Sequence, residues 1–262
     1  MATKPRILII AATGSNRDRD AAWACELAGG APEIAHLNQV TSGDRKLADY
    51  QMLILPGGFS QGDDLGAGKL FAVALAHRLG DDLGTFHAAR KPILGICNGF
   101  QALVKAGLLP ADDGVFPAKP LATLTRNERA HFECRWVHLA PNALSPCIFT
   151  KGLTEPIHCP VAHGEGRFIA RDAETFARLD ARGGVAVRYT DEEGALAGYP
   201  HNPNGSIGNV AGITDPTGTI LGLMPHPENH IRPEQHPQFH RGVRGRSGLA
   251  LFQNGIRYAA GV

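Results

Sequence analysis

The chain has 262 residues, 43% hydrophobic and 19% charged, an ordinary globular composition with enough apolar material for one large domain or two small ones. A formal net charge of +1 gives no electrostatic case for nucleic acid or an anionic membrane as partner, and no run reads as a transmembrane segment or a secretory signal. Cys25, Cys97, Cys134, Cys147 and Cys159 are spaced too irregularly for a disulfide framework or a CxxC zinc pair, so we expect a reducing, cytoplasmic setting.

Residues 6–11 (RILIIA) form an isoleucine-rich run of the kind found in a strand buried on both faces. Ala21, Ala22, Cys25 and Ala28 then recur at helical spacing over 18–28, closed by Gly29-Gly30. A short strand is expected near 33–37 and a buried one over 51–55, stopped by Pro56-Gly57-Gly58. A helix follows over 69–79, a strand over 92–96, and a helix over 98–106 ended by Gly107. Strands alternating with helices across short connections predict an open α/β fold with a mostly parallel sheet and helices on both faces.

From Leu121 the character changes. Residues 132–139 and 157–162 read as strands with no helix between them, and 175–179 as a short helix. Later strands are expected over 185–189, 209–214 and 219–224, the last two joined by the turn Asp215-Pro216-Thr217-Gly218, with a closing helix over 248–258. The Pro- and His-containing stretch 229–246 reads as an irregular surface loop. With no repeat and no linker, the expectation is a single domain over 1–262.

Three segments carry candidate chemistry. Leu94-Gly95-Ile96-Cys97-Asn98-Gly99-Phe100-Gln101 reads as strand, sharp turn and helix, with Cys97 at the turn and glycines clearing room for close backbones. A thiol there faces helix N–H groups that stabilise a thiolate. The plainer reading, a small buried hydrophobe beside a turn, stays open from this segment alone. Met224-Pro225-His226-Pro227-Glu228 follows an apolar strand, so His226 and Glu228 sit at its carboxyl end, in a proline-stiffened segment that suits a base oriented by a carboxylate. Pro56-Gly57-Gly58-Phe59-Ser60, again past a strand, offers backbone N–H groups that with that of Asn98 would form an oxyanion hole. Residues 162–167 (AHGEGR) and 199–206 (YPHNPNGS) read as loops whose role spacing does not reveal. His226, His230, His236 and His240 also cluster, but the prolines between them and the absence of a CxxC or HExxH leave zinc a minor reading. Gly62, Gly66 and Gly68 match no dinucleotide or Walker fingerprint.

In chain order PGGFSxGD (56–63), GICNGFQ (95–101), AHGEGRF (162–168), NPNGS (202–206) and MPHPE (224–228) resemble the glutaminase components of phosphoribosylformylglycinamidine synthase. These are class I (Cys-His-Glu) glutamine amidotransferases with a flavodoxin-like sheet. The resemblance implies Cys97 as nucleophile, His226 as acid and base, Glu228 as its orienter, and Gly58 and Asn98 as oxyanion donors. It further implies Phe59, Gln101, Arg126, Asn127 and Phe132 around the glutamine, and no cofactor or metal in this chain. ATP and magnesium would belong to a large synthetase partner, with a small third subunit in many bacterial complexes. Arg129 stands where the family usually has serine, Asn229 where it commonly has arginine, and the stretch 79–90 is extra length without a functional reading.

Overall fold

The computed structural model describes residues 4–112, 119–244 and 248–261. A nine-stranded sheet forms its centre, in the order β2-β1-β3-β4-β11-β10-β9-β6-β7. Its parallel half comprises β1 (Arg6–Ala11), β2 (Ala31–His36), β3 (Met52–Leu55), β4 (Ile93–Ile96) and β11 (Ile220–Leu223). β1, β3, β4 and β11 are almost wholly buried, which is why they read as Ile/Leu-rich runs with no polar alternation. The remaining strands, β6 (Glu133–Pro141), β7 (Ile157–His163), β9 (Val185–Thr190) and β10 (Val210–Thr214), extend the sheet in antiparallel fashion from β11 to the edge at β7. The open, mostly parallel sheet with added antiparallel strands expected from the sequence is thus the observed architecture.

Chain order fixes where a site can lie. From β1 the chain steps outward to β2 through α1 (Asp18–Leu27); from β3 it steps the other way to β4 through α3 (Lys69–Arg78) and α4 (Gly80–Ala88). Right-handed crossovers in opposite directions place those helices on opposite faces. Accordingly α1 packs on α7 (Leu249–Ala259), while α3 packs on α5 (Asn98–Lys105). The crevice where the direction reverses lies outside the carboxyl ends of β1 and β3.

Several expectations are corrected. The stretch 79–90, left without a structural reading by the sequence, holds helix α4, which buries Leu83 and Phe86; its Gly80 and Gly84 masked the helical period. A five-residue helix α2 (Leu37–Thr41) follows β2, starting at the last residue of the strand expected near 33–37 and running on where no element was expected. The AHGEGR segment is not all loop: Ala162 and His163 finish β7 and Arg167 opens β8 (Arg167–Ala170), which pairs with β5 (Ala122–Thr125) in a separate two-stranded sheet. α6 (Ala173–Ala181) runs longer than the predicted 175–179. The 229–246 stretch, whose last two residues lie outside those described, is not a purely surface loop, since His230, Ile231 and His236 are buried. His230 and His236 pack around Trp136 with His158, at ring separations of 5.0–5.3 Å from the indole.

Candidate active site

The connection from β4 to α5 turns at Cys97, whose φ of 50° and ψ of −104° lie where a non-glycine residue is strained. Such a conformation costs roughly 1–3 kcal/mol and persists only when its surroundings over-determine it. Here the Cys97 N–H donates to the Leu223 carbonyl of β11 at 2.8 Å, and its carbonyl accepts from the Gln101 N–H in the first turn of α5. The flanking glycines are dictated by crowding. A Cβ on Gly99 would lie 2.0 Å from the Leu55 carbonyl oxygen, and one on Gly95 2.4 Å from Leu103. The thiol, 5% exposed, points to the end of β7, where Sγ lies 3.7 Å from the Ala162 carbonyl oxygen.

His226 and Glu228 follow β11. The His226 N–H donates to the Pro160 carbonyl of β7 at 2.8 Å, and Nδ1 lies 2.6 Å from Glu228 Oε1. Both side chains are buried, and Glu228 lacks any exposure. The opposite nitrogen, Nε2, is buried with no hydrogen-bond partner at standard distance. Burial opposes a charged ring, but the Glu228 carboxylate outweighs it, helped by the nearby Cys97 sulfur, so His226 is held protonated well above the usual histidine range. The ring is seated on Gly57, where a Cβ would approach its Cε1 to 2.7 Å.

The loop after β3 supplies the third wall. Gly58 adopts φ +145°, bridges Ser15, and leaves no room for a side chain: a Cβ would lie 2.6 Å from Ser15 Cα. Among the described residues its N–H donates to no protein acceptor, and the Asn98 N–H, at the start of α5, has no intrahelical one. A cavity of about 170 Å³ opens over the thiol, lined by Gly58, Phe59, Asp63, Gln101, Phe132 and Glu165 among others. The Phe59 and Phe132 rings, 6.4 Å apart and about half exposed, stand at this wall.

Of the residues singled out in the sequence, the structure therefore brings Cys97, His226, Glu228, Gly58, Asn98, Phe59, Gln101 and Phe132 together. Arg126 and Asn127 do not line the cavity. Arg126 is exposed, and Asn127 is buried with its amide spent internally. Its Nδ2 donates to the carbonyls of His131 and His163, while its Oδ1 accepts from Gly166 N–H and faces His163 Nδ1 at 3.1 Å. His163, absent from the sequence-based site, does line the cavity. Burial and the neighbouring His226 charge push it down to about 3, so it is neutral. Its Nε2 lies 3.5 Å from Asn204 Nδ2, which ties the NPNGS segment to the site. Gln101 is held between Asn98 Nδ2, which donates to its Oε1 at 3.0 Å, and the Glu165 carbonyl, which accepts from its Nε2 at 2.8 Å. The two departures from the family pattern have local partners: the Arg129 guanidinium lies 3.8 Å from the centre of the Tyr199 ring, and Asn229 donates to Asp20. The histidine run disperses, with His226 in the site and His240 against Phe239. Among the described residues no group of three His, Cys, Asp or Glu side chains is arranged to hold a metal ion.

A cysteine on a strained strand-to-helix turn, a buried His–Glu pair and converging backbone donors define a cysteine-nucleophile acyl-transfer site. Residues 4–259 match the family model described as CobB/CobQ-like glutamine amidotransferase domain, and the chain belongs to that family. It is 45% identical to the phosphoribosylformylglycinamidine synthase subunit PurQ of Treponema denticola, over 97% of this chain and 99% of that one. Against the PurQ subunit of Dehalococcoides mccartyi it is 41% identical, over 98% of each. A chain of the solved PurLQS structure from Thermotoga maritima is 33% identical and superposes with a TM-score of 0.73, covering 98% of this chain and 99% of that one. A more distant glutamine amidotransferase from Thermotoga maritima, 16% identical with a TM-score of 0.55 over 99% of this chain and 100% of that one, shares the fold.

Proposed function

We infer that this chain is the glutaminase subunit of a phosphoribosylformylglycinamidine synthase, hydrolysing glutamine to glutamate and ammonia for a synthetase partner in purine biosynthesis. The observation that carries the chemistry is Cys97, held on a strained turn against the buried His226–Glu228 pair. The full-length similarity to PurQ subunits carries the pathway.

In this reading the Cys97 sulfur attacks the side-chain amide carbon of glutamine, and the oxyanion accepts from the N–H groups of Gly58 and Asn98. His226 gives its proton to the departing nitrogen, which leaves as ammonia, and a glutamyl thioester remains on the sulfur. Water then attacks the thioester, His226 takes its proton, and glutamate departs with regeneration of the thiolate. Glu228 holds the ring in register throughout. Phe59, Gln101 and Phe132 border the bound glutamine. Asn127 acts from behind the wall by fixing His163, while Arg126 is exposed and does not line the cavity. We place the large ATP-dependent synthetase, its ATP and magnesium, and a small third subunit outside this chain. There the glycinamide carbonyl oxygen of formylglycinamide ribonucleotide would be phosphorylated, and ammonia would add at that carbon and displace the oxygen as phosphate, leaving the formyl group untouched. We read the whole as one amidotransferase domain working in the cytoplasm; among the described residues no helix is long and apolar enough to cross a membrane.

The test is Cys97→Ala in the reconstituted complex. Glutamine-supported synthesis is abolished while ammonia-supported synthesis persists. Loss of both, or survival of glutamine-supported turnover, refutes the assignment.

A further inference from the structure

The loop over the cavity carries a second sign of strain that the reaction scheme leaves unused. Three consecutive residues, Gln61, Gly62 and Asp63, have φ of 48°, 70° and 54°, and two of them are not glycine. The loop is held in this form from several sides. Gln61 N–H donates to the Thr13 carbonyl at 2.7 Å, Gly62 N–H to the Phe59 carbonyl at 2.9 Å, and Ser60 N–H to Asn98 Oδ1 at 3.2 Å. The outcome is that a half-buried carboxylate, Asp63, is carried into the wall of the cavity over Cys97.

The two oxygens of Asp63 are not equivalent. Oδ1 accepts from Gly68 N–H at 3.3 Å and from Asn98 Nδ2 at 3.1 Å, the same Asn98 amide that donates to Gln101. Oδ2 accepts from no protein donor among the described residues. Among the described residues no arginine or lysine forms an ion pair with Asp63; the nearby Lys105 is paired with Glu165 at 3.7 Å. Burial and the Glu165 charge push the carboxyl above its usual range, so its charge is only partly compensated. A substrate cation in the cavity would complete it.

We propose that Asp63 is the specificity residue that reads the α-ammonium group of the substrate, through Oδ2, while Asn98 and Gly68 hold the carboxylate by Oδ1. This rests on the reading of the chain as a glutaminase and names what distinguishes free glutamine from other primary amides in its pocket. An anion anchored at one oxygen and open at the other suits an ammonium group, since a charge-assisted hydrogen bond in a partly dry site is about twice as strong as a neutral one.

The test compares Asp63→Asn with the unaltered chain, each in the complex with its synthetase. Asparagine keeps an oxygen for both Oδ1 donors and turns an uncharged amide to the cavity. L-glutamine and 4-carbamoylbutanoate, which is glutamine without its ammonium, serve as substrates. For Asp63→Asn we expect KM for L-glutamine to rise about 30-fold with kcat little changed, and the constants for 4-carbamoylbutanoate to stay within about threefold. An equal loss on both substrates would reduce Asp63 to a cap of the following helix and overturn the proposal, as would an unchanged preference. If the variant does not fold, the unaltered chain decides: a preference for L-glutamine below about tenfold overturns it. Iodoacetamide labelling of Cys97, mapped by mass spectrometry in both proteins, separates the two levels. A chain whose Cys97 neither labels nor turns over glutamine sinks the glutaminase reading itself.

Discussion

Gly57 sets how far the imidazole of His226 stands from the loop after β3, and replacing it tests the site at sub-ångström resolution. A Cβ built there lies 2.7 Å from His226 Cε1, about 0.7 Å inside ordinary contact, and 3.4 Å from Nδ1. Gly57 is not in the left-handed region, so alanine brings no backbone penalty. The ring has little freedom to retreat, because the His226 backbone N–H is tied to the Pro160 carbonyl and the ring Nδ1 to Glu228 at 2.6 Å. Relief must come by tilting the ring, which moves Nε2 relative to Cys97. Displacements near 1 Å cost on the order of a hundredfold in rate, so Gly57→Ala should lower kcat for glutamine by about 10–100-fold. One misplaced methyl in a packed site costs about 1–3 kcal/mol, which leaves a domain of this size folded. The assay is steady-state glutamine hydrolysis by the complex, with ammonia-supported synthesis and thermal unfolding as controls. A kcat within about threefold of the parent, or a parallel fall in ammonia-supported synthesis, would refute the placement of the base.

Two further outcomes follow from buried charges. Asp215 is fully buried in the β10–β11 turn, accepting from Thr217 and Ile220 N–H groups and lying 3.0 Å from His87 of α4. Burial works against its charge, but His87 and these donors prevail and hold it below the usual carboxylate range. Its stabilisation is therefore complete above about pH 4, the unfolded value, and lost as pH falls through the lower folded one; Asp215→Asn should cost about 2–4 kcal/mol at neutral pH, read by denaturant unfolding, and progressively less in acid. Glu228→Gln should lower kcat by about 10²–10⁴-fold by mis-setting the His226 tautomer. Because His226 is raised in the folded state, the stability lost in that variant is fully present below about pH 6.5 and shrinks as pH climbs through the raised value. A stability gap that widens with rising pH would contradict the protonated assignment.

Much of the frame was readable because burial leaves a compositional trace. β1, β3, β4 and β11 are apolar on both faces, and α5 carries a strong amphipathic pattern whose start is marked by the Cys97 turn. β5 and β8 left no such trace: each has four residues, and their pairing joins segments some 45 residues apart. α4 was hidden because its two glycines interrupt the helical period of its apolar residues. The 229–246 stretch looked solvated for a related reason, since histidine and proline score as polar or breaking. Yet His230 and His236 find apolar company in Trp136, supplied by a strand nearly a hundred residues away.

The site divides along the same line. Cys97, His226 and Glu228 were legible because the needs of each are local: glycines where backbones touch, prolines that stiffen a strand end, a helix start behind a thiol. Of the pocket wall, Phe59, Gln101 and Phe132 came only with the family resemblance, and the rest was not legible, because its members are selected by partners distant in the chain. Asn127 and His163 show why. A polar residue beside a glycine-rich turn can face the cavity or brace the turn, and only the acceptors available decide. Asn127 finds the His131 and His163 carbonyls and the Gly166 N–H, so its amide is spent on the wall. That same bracing presses Gly166 against His163, where a Cβ would come within 2.5 Å of Nδ1, and turns the imidazole into the cavity wall. The residue with the motif's look thus holds the scaffold, and the one that spacing left unassigned meets the cavity. Local pattern identifies groups that need a particular backbone; it is mute about groups whose role is fixed by which long-range hydrogen bond wins.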